Sequence, residues 1–203
     1  VSSSAAFEVL IGTILSGLYN GGSVSAVKIA QIAQYAENVY FGKPSGLMDQ
    51  MASSVGGFIT IDFKDTENPL ISSIEYDFAH SGYSLCLVDT KGSHADLTPD
   101  YAALPAEMKA AAAVFGKSVL REVDEADFRN NIGLVREKCG DRAVLRALHF
   151  FDENKRVDAA AVSLKCKDIE GFLDVIKASG NSSYKYLQNV YSVSKPAEQG
   201  MAL

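Results

Sequence analysis

The chain has 203 residues, with 19 Lys plus Arg against 25 Asp plus Glu, a formal net charge of −6. That balance argues against a nucleic-acid partner, which needs a basic face, but not against a phosphate ligand, because helix ends and backbone amides hold anions in acidic proteins. Hydrophobic residues make up 47% of the chain, ample for a packed core, and no apolar run is long enough to cross a bilayer. Cys86, Cys139 and Cys166 are widely spaced and odd in number, with no Cys-x-x-Cys pair, so they read as reduced thiols of a cytosolic protein.

In chain order, Val1-Ser2-Ser3-Ser4-Ala5-Ala6 opens a helix expected over Ser4 to Leu18, with Phe7, Val9, Leu10, Ile11, Ile14, Leu15 and Leu18 as its apolar positions. Asn20-Gly21-Gly22 stops it. Ser23 or Ser25 starts a second helix, whose apolar face is Val27, Ile29, Ile32, Ala33, Ala36 and Val39-Tyr40, and Gly42-Lys43-Pro44 ends it. Glu37 falls in its last two turns, where a carboxylate meets the negative end of the helix dipole, a mild sign of another job. A short helix follows Gly46, with Met48, Met51 and Val55 on one side and the two methionines read as core. Strands are expected at Phe58 to Phe63, Ile71 to Phe78 and Leu85 to Thr90, the last one buried.

Beyond Thr90 the pattern is mostly helical. Lys91 to Leu97, including His94 and Asp96, reads as a polar loop, with a weak site role for those two residues. Thr98-Pro99 caps a helix to about Phe115, with Tyr101 in its first turn and Pro105 as a kink or a restart. Val119 to Val123 is a connector, and Asp124 caps a helix through Ile132. A helix from Asp141 bends near Asn154 and runs on to Leu164, and another spans Asp168 to Ala178 until Gly180-Asn181 stops it. His80 and His149 read as structural, and Arg129, Arg136, Lys138, Arg142 and Arg146 as a solvated face. The sum is an α+β chain of two domains, expected at residues 1–82 and 83–203.

Two stretches carry chemistry. Ser2, Ser3 and Ser4 stand at a helix mouth, where unpaired N–H groups and a partial positive charge suit a phosphate. Gly46-Leu47-Met48-Asp49-Gln50 puts one carboxylate at the start of another helix. A phosphate cradle and one positioned carboxylate are two halves of a phosphoryl-transfer site. By themselves, a plain serine cap and a capping or dipole-paired Asp account for the same residues.

The SSSAA run, then Glu37, then GLMDQ with its aspartate twelve positions later, resemble in order the GHMP family of small-molecule kinases, and within it the galactokinases. The resemblance implies an N-terminal part like ribosomal protein S5 and a helix-rich, ferredoxin-like C-terminal part. It implies ATP and Mg²⁺ as cofactors and a sugar, galactose, as acceptor, with N-acetylgalactosamine or arabinose as sister substrates and a non-catalytic sugar sensor as a further reading. It makes Asp49 the catalytic residue, Ser2 to Ser4 the phosphate cradle, Ser4 and Glu37 the metal's protein ligands, and Gly46, Asp49 and Tyr101 the sugar contacts. The family's arginine partner of the aspartate, its N-terminal sugar clamp and its C-terminal glycine-rich segment have no counterpart here. The chain therefore reads as an internal piece of a longer kinase, with little or no activity of its own.

Overall fold

A computed structural model describes residues 3–42, 45–89, 98–192 and 196–197. The chain divides into two compact units, Val1–Glu75 and Tyr76–Leu203.

In the first unit, helices α1 (Ser3–Asn20), α2 (Ala26–Tyr35) and α3 (Met48–Val55) precede an antiparallel hairpin of β1 (Phe58–Asp62) and β2 (Leu70–Ile74). Gly21 and Gly22 end α1 at positive φ, 59° and 74°, where a side chain would be strained. Ser25 caps α2 by accepting from the Lys28 N–H at 3.2 Å. Helix α2 is the centre of the unit. Ile29 and Ala33 pack on Val9 of α1, while Ala30 packs with Leu47 and Met51, flanked by Ile61, Phe63 and Ile71 of the hairpin region. At Gly12 the approach is close enough that an added Cβ would lie 3.0 Å from Ile29 Cγ2. Gln31 holds the hairpin loop by donating to the carbonyls of Thr66 and Glu67 at 3.2 and 2.9 Å.

The second unit is helical: α4 (Thr98–Ala113), α5 (Glu125–Asn130), α6 (Ile132–Cys139), α7 (Asp141–Lys165) and α8 (Ile169–Ser182). Its core centres on Phe128, packed among Ala111, Ala112, Val135, Val144, Ala147 and Phe151. The Phe128 ring lies 5.2 Å from that of Phe151 and 6.1 Å from that of Phe115. Asp124 caps α5 and Asp168 caps α8, each accepting an N–H at 2.9 Å. The whole is a helix-rich α+β fold with a two-stranded sheet among the described residues.

Several expectations are corrected. The apolar positions of α1 do not form a core face: Val9 is buried, whereas Phe7, Leu10, Ile11, Ile14, Leu15 and Leu18 are exposed. On α2 and its extension, Ile32, Val39 and Tyr40 are exposed as well. Met51 is core but Met48, the first residue of α3, is exposed although the two share a helix face. The second strand stops at Ile74, and Phe78 lies in a 3₁₀ turn. Leu85 to Asp89 form no strand, and Leu85 is 99% exposed, since no neighbouring strand among the described residues offers a ladder.

Helix α4 runs through Pro105, helix α7 is continuous from Asp141 to Lys165, and α8 continues past Gly180-Asn181 to Ser182. No element is expected between Ile132 and Asp141, yet α6 occupies it. Arg146 is not part of a solvated face: it is buried, pairing Nη1 with Glu107 Oε2 at 2.9 Å and donating Nε to the Leu187 carbonyl at 3.1 Å. Ser2, His94, Asp96 and the expected Lys91–Leu97 loop lie outside the described residues.

Candidate active site

Ser3 and Ser4 begin α1, exposed at the end where the first N–H groups have no helical acceptor. Helix α1 carries no acidic residue in its first turn, so the positive end of its dipole is not offset from within the helix.

The extension of α2 is less regular. Ala36–Tyr40 is a π-helical turn, closed by the Phe41 N–H to the Ala36 carbonyl at 3.3 Å. Such turns accommodate one extra residue and recur at functional sites. Glu37 sits in this turn and is 4% exposed, so it is not a solvated surface carboxylate. From α3, Gln50 donates Nε2 to Glu37 Oε2 at 2.9 Å, in a buried pair. The bond joins the acidic residue of the second helix to the GLMDQ segment.

Asp49 is the neighbour of Gln50 in the first turn of α3. Successive helical residues point about 100° apart, so Gln50 turns into the unit while Asp49 is exposed. A carboxylate in a first turn also interacts favourably with the helix dipole.

The loop before α3 is fixed from the same π turn. Asn38 accepts the Ser45 N–H at 2.8 Å and donates Nδ2 to the Ser45 carbonyl at 3.3 Å, which also takes Gln34 Nε2 at 3.1 Å. Gly46 follows, exposed, with nothing within 4 Å of where a Cβ would stand. Protein packing therefore does not require glycine there. Tyr101 belongs to the second unit, on the first turn of α4, with its ring exposed. Among the described residues no three His, Cys, Asp or Glu side chains gather as a metal site.

The family described as GHMP kinases N terminal domain matches residues 1–57, the span that holds α1, α2 and α3. Beyond that GHMP segment, likeness to galactokinases runs along nearly all of the chain. It is 32% identical over 198 residues to the galactokinase of Streptomyces coelicolor, covering 97% of this chain and 49% of that protein. With the galactokinase of Actinobacillus pleuropneumoniae it shares 33% over 172 residues, covering 83% of this chain and 43% of the relative. A crystal structure of Lactococcus lactis galactokinase complexed with galactose superposes with a TM-score of 0.73 at 25% identity, over 94% of this chain and 48% of that one. The chain thus spans about half the length of the galactokinases it matches.

Gln34, Asn38 and Gln50 are the functional candidates that motif reading passes over. Gln50 stands in the GLMDQ signature, beside the core residue Met51, and that position is the only sequence sign of its burial.

Proposed function

We propose that the protein carrying this chain is an ATP-dependent galactokinase, moving the γ-phosphoryl group of ATP to the C1 hydroxyl of galactose. The observation that carries the reading is the Gln50–Glu37 hydrogen bond, which joins two motif residues and leaves Asp49 exposed beside them. Asp49 takes the proton of the sugar hydroxyl, or holds that hydroxyl in line, as its oxygen bonds to the γ-phosphorus and the bond to ADP breaks. The start of α1, with Ser2, Ser3 and Ser4, receives the phosphates. Gly46 leaves room for the sugar against the backbone, a role that its open surroundings support. Tyr101 contacts sugar hydroxyls.

Mg²⁺ fits the donor set. Glu37 is a buried carboxylate held in place by an amide, and Ser4 offers a second hard oxygen at an exposed helix start. This metal is commonly held by one or two protein oxygens, the rest of its shell being phosphate and water. When bound it neutralises the phosphate oxygens. Cys86, Cys139 and Cys166 are free thiols, in keeping with a reducing cytoplasm.

A coupled ADP-release assay on the whole protein, with a panel of sugars, tests the reading. Galactose is the expected substrate, and Asp49→Asn should lower turnover by about 10²–10⁴-fold. Turnover only with N-acetylgalactosamine or arabinose would move the assignment to a sister kinase. Sugar binding without any ADP release would make it a sensor. The 203-residue chain by itself is expected to release no ADP.

A further inference from the structure

We infer that Gln50 is a positioning residue of the metal–nucleotide site, fixing the Glu37 carboxylate with one end of its amide and offering the other end to the ligand. The inference rests on the reading of Glu37 as a metal ligand. A carboxylate only accepts hydrogen bonds, so the amide nitrogen must be the end facing Glu37 Oε2. That choice also determines where the amide oxygen cannot be. Gln50 is 1% exposed, and its Oε1 is buried with no hydrogen-bond partner among the described residues.

Buried polar atoms are nearly always paired, and an orphan calls for a reason. Here the orphan belongs to the side chain that grips Glu37, one residue from Asp49. An O–H donor arriving with the ligand would complete it. Ser45 Oγ, beside Gly46, is a second buried oxygen without a partner among the described residues. Both lie in the 45–50 segment that carries Asp49. Groups that orient a metal ligand commonly change metal affinity 10- to 100-fold when removed.

The test compares the whole wild-type protein with Gln50→Met, which keeps the volume and removes both polar ends. Mn²⁺ replaces Mg²⁺, and its ATP complex is followed by electron paramagnetic resonance, while ATP binding is measured separately in a chelator. Gln50→Met should weaken Mn²⁺·ATP binding about 10- to 100-fold and leave metal-free ATP binding unchanged. Gln50→Asn, which keeps the amide but withdraws it by one methylene, should fall between the two and serves if the Met variant does not fold. Equal Mn²⁺·ATP affinity in wild type and variants overturns the inference alone. So does an equal loss with and without metal, which a purely structural role would give. Wild-type protein with no metal-dependent binding removes the Glu37 reading and this inference together.

Discussion

At the residue scale, Asp49 and Phe128 illustrate opposite sensitivities. Asp49 is exposed, so Asp49→Asn should change stability by less than about 0.5 kcal/mol while, on the proposed function, lowering turnover by about 10²–10⁴-fold. Urea unfolding of both proteins checks the first half of that statement. Phe128 is fully buried among aromatic and aliphatic neighbours. Phe128→Ala should destabilise the second unit by about 3–5 kcal/mol, seen as a lower urea midpoint. Asp49 and Glu37 could be singled out in the sequence because residue type and spacing carry them. Gln50 could not, since the letter Q says nothing of which amide end faces a carboxylate. Arg146 is hidden for a related reason: a basic residue reads as solvated until its acidic partner, Glu107 on the separate helix α4, is known.

At the element scale, some caps were legible: Asp124 caps α5 and Ser25, one of two candidates, caps α2, whereas the stop expected at Gly180-Asn181 does not end α8. Pairing was not, and Leu85 to Asp89 has the composition of a strand but forms none. Helices α7 and α8 are joined by polar contacts that no periodicity reveals. His149 Nδ1 lies 2.9 Å from Ser182 Oγ, which also takes Arg156 Nη2 at 2.7 Å, while Arg156 pairs with Glu153 at 2.6 Å and Ser179 donates to the same carboxylate. Burial pushes the His149 imidazole below its ordinary 6.5, although Glu153 and Asp152 oppose the shift and Arg156 adds to it. The unfolded chain then holds more protons than the folded one just below 6.5, so stability falls as pH drops through that window. Glu153, also held below its ordinary 4.5, withdraws its share only at lower pH. Urea midpoints measured from neutral pH down to about pH 5.5 should decline in wild type and flatten in His149→Gln.

At the scale of the whole molecule, each unit leaves apolar surface uncovered. In the first, Phe7, Leu10, Leu18 and Tyr19 of α1 are exposed; in the second, Leu85, Leu87 and Val88. Contiguous exposed apolar patches beyond a few hundred Å² are rare on soluble monomers. The chain also matches only about half of each galactokinase relative. By itself it should therefore bind a hydrophobic dye and self-associate at micromolar concentration, which fluorescence and sedimentation velocity would measure. A dye-silent monomer would contradict that expectation. The sequence supplied the number and the order of the helices in the first unit, but not which apolar face is covered, because periodicity marks a face without naming what packs on it. The π turn at Ala36–Tyr40 carries a consequence for descent as well. One inserted codon is enough to make such a turn. Deleting it would restore α-helical bonding there and swing the later side chains of the helix by about 100°. Ile29 and Ala33 would keep their places against α1, while Asn38 would lose its grip on Ser45. A lineage without that codon would need some other means of holding the segment ahead of Gly46.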